Sequence, residues 1–326
     1  MRYRALGNQR TGWANRGQAP NFAVDHAAAS QSSEPQNSKP VPALRAVSLA
    51  AAALFALAGA VFAQAPQPNL TNAKFEQRPF AGDLASQIRG TAPGWFGYAI
   101  KTKRGDHQSC CWGGSNGYGC RLEGGSGAVV TGQVSNSPIQ LEGTEVLAVL
   151  LRVENDRVEK IRVFGLECPL DAGGLPFVWL TGVPADASIR YLEKLVASSS
   201  SDRHLDGALF AISQHDDPQG VDALIRLAKT DPSAHVRGQA LFWLAQKAGQ
   251  RASAAIQNAI ENDPDTGVKK RAVFALSQLP KDEAVPKLIE IARNQKNREV
   301  QKQAFFWLGQ THDPRALAFF EQVLAK

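Results

Sequence analysis

The segment Ala240-Leu241-Phe242-Trp243-Leu244-Ala245-Gln246 decides the fold, because the chain repeats it at a fixed step. Its counterparts are Ala208-Leu209-Phe210-Ala211-Ile212-Ser213-Gln214, Ala272-Val273-Phe274-Ala275-Leu276-Ser277-Gln278 and Ala304-Phe305-Phe306-Trp307-Leu308-Gly309-Gln310, each 32 residues from the next without a gap. Self-similarity at such a period is the signature of a repeat architecture. A second ladder runs at the same step. Ile189, Val221, Ser253, Val285 and Leu317 form one column; Leu192, Leu224, Ile256, Leu288 and Phe320 form the next. Leu195, Leu227, Ala259, Ile291 and Val323 form a third. Columns three residues apart make a helical stripe.

Helix starts are marked by Asp-Pro pairs. Asp231-Pro232 and Asp263-Pro264 read as opening one kind of helix, Asp217-Pro218 and Asp313-Pro314 the other. Asp caps the free N–H groups, and Pro fits the first turn because its missing N–H has no partner there. Each period is then two antiparallel helices. One such hairpin cannot bury both of its apolar faces; stacked neighbours can. The expected fold is mainly α, an α-α superhelix over residues 186–326, preceded by a small disulfide-containing α+β domain over residues 66–183.

The string Asp231-Pro232-Ser233-Ala234-His235-Val236-Arg237-Gly238-Gln239-Ala240-Leu241 resembles a HEAT-like repeat, with its Asp-Pro, its Val-Arg and its small residue before an apolar run. The next copy keeps Asp263, Pro264, Val268 and Ala272 with Lys269 in place of Arg; the last keeps Val300 and Ala304. The period is similar to that of the short bacterial version, the phycobilisome-lyase type. The resemblance implies an α-solenoid and leaves activity open, because that superfamily hosts scaffolds, lyases and a hydroxylase. The hydroxylases hold iron with His-Glu pairs, and this sequence has no His-Glu dipeptide. The lyases work in the cytoplasm, against the export signal described below.

Two columns of the repeat are candidate partner-binding positions. One reads Ala211, Trp243, Ala275, Trp307, and Phe177-Val178-Trp179-Leu180 extends it if that stretch is an earlier copy. Alternating large and small residues suit jigsaw packing between repeats, and equally a row of aromatic anchors. The other column is Gln214, Gln246, Gln278, Gln310. Its amides suit turn backbone at helix ends, or a polar track for an extended peptide. Arg237, Lys269, Lys270, Arg271 and Lys302 fall early in the second helices as a mild basic stripe.

The N-terminal part reads differently. Residues 46–63 hold a single polar side chain, Ser48, follow Arg45 and end in small residues. This is a secretory signal over residues 45–63, with cleavage expected after Ala63 and an uncleaved membrane anchor as the competing reading. No stable membrane insertion is expected after cleavage. Residues 1–44 are polar and aperiodic, a disordered composition, or an extension ahead of a true start near Val41. Export makes the chain periplasmic or secreted, where an even cysteine count reads as disulfides. Cys110, Cys111, Cys120 and Cys168 are the four. Adjacent cysteines cannot bond without strain, so one of Cys110 and Cys111 is expected with Cys120 and the other with Cys168. A competing reading makes the region a redox or lyase-like enzyme built on Asp106, His107, Cys110 and Cys111, since an acid-oriented base beside a thiol is an activation arrangement.

Within residues 66–183 the strands read at 146–153 and 158–164, joined by Glu154-Asn155-Asp156 as a tight hairpin. A third strand reads at 95–100 and a short helix from Gly82 to Arg89. Gly173-Gly174 reads as a turn into the solenoid, and Cys168-Pro169-Leu170-Asp171-Ala172-Gly173-Gly174 ahead of such repeats resembles exported bacterial proteins, which implies no activity.

Charge narrows the function. The chain carries 36 basic and 30 acidic side chains, but residues 1–63 hold six of the former and two of the latter. The remaining body is close to neutral, which argues against charge-driven binding to nucleic acid or to an anionic membrane. No motif calls for a cofactor or a metal. The leading expectation is a periplasmic scaffold that binds a protein partner without catalysis.

Overall fold

The computed structural model describes residues 66–103, 110–111, 120–124, 145–199, 201–247 and 250–325. The signal segment, the polar leader, Asp106 and His107 lie outside the described residues. Among the described residues no helix is long and apolar enough to cross a membrane.

The first part is a five-stranded sheet. Its strands are β2 (Lys74–Pro79), β3 (Gly94–Lys101), β5 (Val146–Glu154), β6 (Arg157–Gly165) and β8 (Pro176–Thr181), in the order β2-β8-β3-β5-β6. The β5–β6 hairpin turns at Asn155 and Asp156, both with positive φ (51° and 59°). That conformation suits the right-handed twist of a two-residue hairpin and is tolerated best by Asn, Asp and Gly. The expected strand at 95–100 is β3, and the expected short helix is α1 (Leu84–Ile88), capped by Asp83 accepting from Ser86 N–H at 3.0 Å.

Three inner strands are buried on both faces, which explains their nearly unbroken apolar runs. Phe96, Tyr98, Ile100, Leu147, Val149, Leu151, Val178 and Leu180 face the helices. Trp95, Ala148, Leu150, Phe177 and Trp179 face the other way. There they meet a small parallel sheet of β1 (Leu70–Thr71), β7 (Leu170–Asp171) and β4 (Cys120–Arg121). Gly97 is required here: a Cβ on it would stand 2.8 Å from the Trp179 ring and from Leu150.

Two expectations are corrected at this point. Phe177-Val178-Trp179-Leu180 is strand β8, paired in parallel with β2 and β3, so Trp179 does not continue the helical tryptophan column. The Gly173-Gly174 turn has positive φ at both residues but leads from β7 into β8, not into the solenoid.

The second part has, among the described residues, nine helices: α2 (Ala185–Ser198), α3 (Asp202–Gln214), α4 (Pro218–Thr230), α5 (Ala234–Lys247), α6 (Gln250–Asn262), α7 (Thr266–Ser277), α8 (Lys281–Asn294), α9 (Arg298–Gln310) and α10 (Pro314–Leu324). The odd-numbered helices α3, α5, α7 and α9 pack side by side, and α2, α4, α6, α8 and α10 form the other layer. Pro218 and Pro314 open α4 and α10, with Asp217 and Asp313 as N-caps. The other two Asp-Pro pairs act differently from the expectation. Asp231 closes α4, and Asp263 follows α6 within the turn, while the cap of α7 is Asp265. Their carboxylates accept turn N–H groups, from Ser233 at 2.8 Å and from Asp265 at 2.9 Å.

Sheet and stack share one apolar core. Gly207 of α3 sits against β6, where a Cβ would come within 3.0 Å of Ile161. The Asp216 N–H donates to the Lys101 carbonyl at 2.8 Å. At the centre of the junction Ser188 Oγ lies 2.9 Å from both Tyr98 Oη and His215 Nε2, and all three residues are buried.

Candidate interaction surface

The four cysteines pair as Cys110–Cys168 and Cys111–Cys120. Among the described residues none is free. Glu167 comes close to Cys110 and Cys168, but with both sulfurs bonded to each other only a carboxylate remains, too few donors for a metal ion. The thiol-based reading therefore has no nucleophile among these residues.

Arg237, expected on a solvated basic stripe, is buried. Its side chain is 10% exposed and forms a bidentate pair with Asp263, which is 4% exposed. Nε donates to Oδ2 at 2.7 Å and Nη2 to Oδ1 at 3.0 Å, while Nη1 donates to the Asp231 carbonyl at 2.9 Å. The hydrogen bonds that Arg237 donates to the Asp263 carboxylate hold the guanidinium pKa above its ordinary value. For Asp263, burial works against ionisation, but Arg237 and the Asp265 N–H outweigh it and lower its pKa. The Val-Arg of the repeat thus ties one hairpin to the turn of the next. The basic stripe is interrupted elsewhere too: Lys269 donates to the Glu261 carbonyl, and Lys302 pairs with Glu299.

Trp243 and Trp307 are half-buried, whereas Ala211 and Ala275 in the same column are fully buried. The indoles pack on phenylalanines. Trp243 meets Phe210 with centroids 4.9 Å apart and Phe242 at 4.8 Å; Trp307 meets Phe274 at 4.8 Å and Phe306 at 5.0 Å. Phe242 stacks on Phe274 at 6.0 Å with the planes 8° apart. Phe210, Trp243, Phe242, Phe274, Trp307 and Phe306 therefore form one continuous row of six rings across α3, α5, α7 and α9. Trp307 also buries its indole N–H without an acceptor among the described residues.

The phenylalanine column is the part that the sequence reading passed over. Phe210, Phe242, Phe274 and Phe306 keep the same 32-residue step inside the very segments that define the repeat. An unvaried aromatic in a column that the helical stripe does not need was the available signal.

The glutamines lie one helical turn beyond these phenylalanines, at i+4 on the same helix face. Gln246, Gln278 and Gln310 are exposed; Gln214 is buried. Gln214 and Gln278 donate to the hydroxyl of the preceding serine at 3.0 and 3.1 Å. Lys247 Nζ also approaches Gln214 Oε1 at 3.4 Å. The first glutamine is thus buried and held on both sides of its amide, and the other three are exposed beside the aromatic row, Gln278 with its amide already donating to Ser277.

Comparison with known proteins fits this picture of the fold. The family model for HEAT repeats matches residues 253–326. Among curated proteins, none matches the sequence. The X-ray structure of YIBA from Escherichia coli is similar at 20% identity and a TM-score of 0.29, over 43% of this chain. This chain spans 54% of that protein's length, and a score of this size bears on neither fold nor function. The match supports HEAT-like repeats within the C-terminal helical stack, which among the described residues follows a small α/β region with two disulfides.

Proposed function

We infer that the chain is an exported, non-catalytic scaffold whose helical stack holds a protein partner along the aromatic row. The observation that carries this reading is the row itself: six contiguous rings, half-buried or exposed, with amides one turn away. Half-exposed aromatic side chains in a line are costly in water and are typical anchors at interfaces. The occupant that fits is an extended segment placing apolar side chains on the rings and main-chain amides against Gln246, Gln278 and Gln310. The near-neutral body favours a weakly charged partner. Export rests on the apolar run before Ala63 and on the paired cysteines.

The test is cross-linking and mass spectrometry in the native host. Cross-links from α5, α7 and α9 to one periplasmic protein are expected, and the double variant Phe274→Ala with Gln278→Ala should lose them while keeping its helical circular dichroism. No partner at native abundance, or capture unaffected by that variant, would refute the reading. A cytoplasmic chain retaining residues 1–63 would refute export.

A further inference from the structure

The two buried arginines of this chain each hold a carboxylate: Arg152 meets Glu123 at 2.7 Å, and Arg237 meets Asp263 at 2.7 Å. Arg162 differs. It stands on β6, half-buried, and meets no carboxylate among the described residues. Its guanidinium donates from Nη1 to the neighbouring Ile161 carbonyl at 3.3 Å. The charged group beside it is another guanidinium, that of Arg203, the second residue of α3. Arg203 is exposed and forms no ion pair among the described residues. Burial pushes the Arg162 pKa below its ordinary value, and Arg203 pushes it further the same way. Two like charges held together without a counter-charge are unfavourable in the chain alone.

Both arginines line a cavity of about 740 Å³ between the edge strand β6 and the start of α3. The other charges around it are engaged or stand apart. Glu123 is shared by Arg152 and Lys160. Glu159 and Asp202 are exposed, and neither pairs with Arg162 or Arg203. The first turn of α3 has no side-chain cap, although Asp202 in that turn offsets its positive end. The unmatched pair of cations therefore calls for an anion, and the donors define its chemistry. Each guanidinium presents a planar fork of N–H groups. One carboxylate fills one fork, whereas the three free oxygens of a phosphate group bridge two. Its charge near pH 7, about −1.5 to −2, also balances two arginines. Small-molecule pockets span about 300–1,000 Å³, so this cavity has room for an ester as well as for the bare ion.

We propose that Arg162 and Arg203 form a binding site for a phosphate group, carried as the free ion or as a monoester, in the cavity between β6 and α3. The site shares no residue with the aromatic row and stands independently of the partner bound there.

Titration calorimetry of the full chain, disulfides formed and at low salt, is the measurement, with inorganic phosphate, phenyl phosphate and acetate as probes. A Kd of about 1 mM or tighter is expected for inorganic phosphate. Arg162→Gln and Arg203→Gln should each weaken it by at least about tenfold, because each removes one charge-assisted fork. Arg190→Gln, at an exposed arginine paired with Asp186 on α2, should leave it unchanged. Phenyl phosphate bound at least about threefold tighter assigns the site to an ester; equal affinity assigns it to the free ion. Thermal midpoints separate binding from a structural role. Without phosphate each glutamine variant should match or exceed the parent, since a repulsion is removed; on adding phosphate only the parent should gain. Arg203 is exposed, so its variant folds whatever happens at Arg162. No binding up to about 10 mM phosphate, acetate held as tightly as phosphate, or an affinity unmoved in both glutamine variants would overturn the proposal. Midpoints that fall in both variants without phosphate would make the arginines structural and equally overturn it.

Discussion

The sheet region and the helical stack bury apolar surface by opposite routes. In the sheet, β2 pairs with β8 about a hundred residues later, Phe75 opposite Phe177, and a disulfide joins Cys110 to Cys168 across 58 residues. In the stack, each helix touches its neighbour and the helix one repeat away. A short-range architecture adds a unit at little entropic cost per unit, whereas long-range pairing has to close large loops first. The disulfides are found only where loop closure is the problem. The difference teaches which part of the molecule depends on covalent support and which part depends on repetition.

The most severe challenge to that comparison is removal of Cys110–Cys168. A 58-residue loop corresponds to about 4 kcal/mol of denatured-state entropy, and the nine-residue loop of Cys111–Cys120 to about 2.5 kcal/mol. Cys110→Ala with Cys168→Ala should unfold the sheet at lower denaturant, seen in tryptophan fluorescence from Trp95 and Trp179, while helical circular dichroism persists. Coincident transitions would show that the shared core binds both parts into one cooperative unit.

Within the stack the largest single effect is expected at Arg237. Replacing it with Ala leaves Asp263 buried without its cation, at a cost of about 3 kcal/mol in a denaturant titration. The double variant Arg237→Met with Asp263→Leu should recover most of this. Because Asp263 has a lowered pKa when folded, its contribution is fully present above its ordinary value of 3.8 and is lost as pH falls through the lower folded value. An Arg237→Ala chain as stable as the parent would mean that the pair is incidental to joining repeats.

A smaller effect sharpens the role of the rings. Trp243→Ala should cost about 2 kcal/mol, below the range for a fully buried tryptophan because the indole is half-exposed. Trp307→Phe should cost close to nothing, since it removes an N–H that is buried without an acceptor along with some ring area. A large loss for Trp307→Phe would show that its N–H has a partner.

The same contrast governs what could be read from the sequence. The stack was legible because its determinants are local and repeated, down to the Asp217 and Asp313 caps. The β5–β6 hairpin was legible for the same reason, since Asn155-Asp156 states its own turn. Phe177-Val178-Trp179-Leu180 was not, because a four-residue apolar run fits a buried parallel strand and a buried helix alike. Only the partners on β2 and β3, far away in sequence, decide between them. The columns of Trp243 and Trp307 and of the glutamines were visible in the sequence, but which of their side chains reach solvent was not. Arg237 misled because a positive charge reads as surface until its buried carboxylate, 26 residues on, is seen.

The smallest expected effect tests the junction that makes the two regions one. His215 Nδ1 lies 2.8 Å from the Ala211 carbonyl, so it carries the ring proton and Nε2 is left to accept from Ser188. Burial lowers the His215 pKa, and the Ala211 and Ile212 backbone and the charge of Asp217 only partly oppose it. A base with a depressed folded-state pKa contributes stability that is whole above its unfolded value, 6.5, and is lost as pH falls through the folded one. The thermal midpoint should therefore decline from about pH 7 to about pH 5, before most carboxylates titrate. His215→Gln keeps a donor and an acceptor but cannot titrate, so its midpoint should be flatter over that window. An unchanged slope in the variant would place the pH dependence elsewhere, and the sheet and stack would then be joined by their apolar contacts rather than by this buried chain of hydrogen bonds.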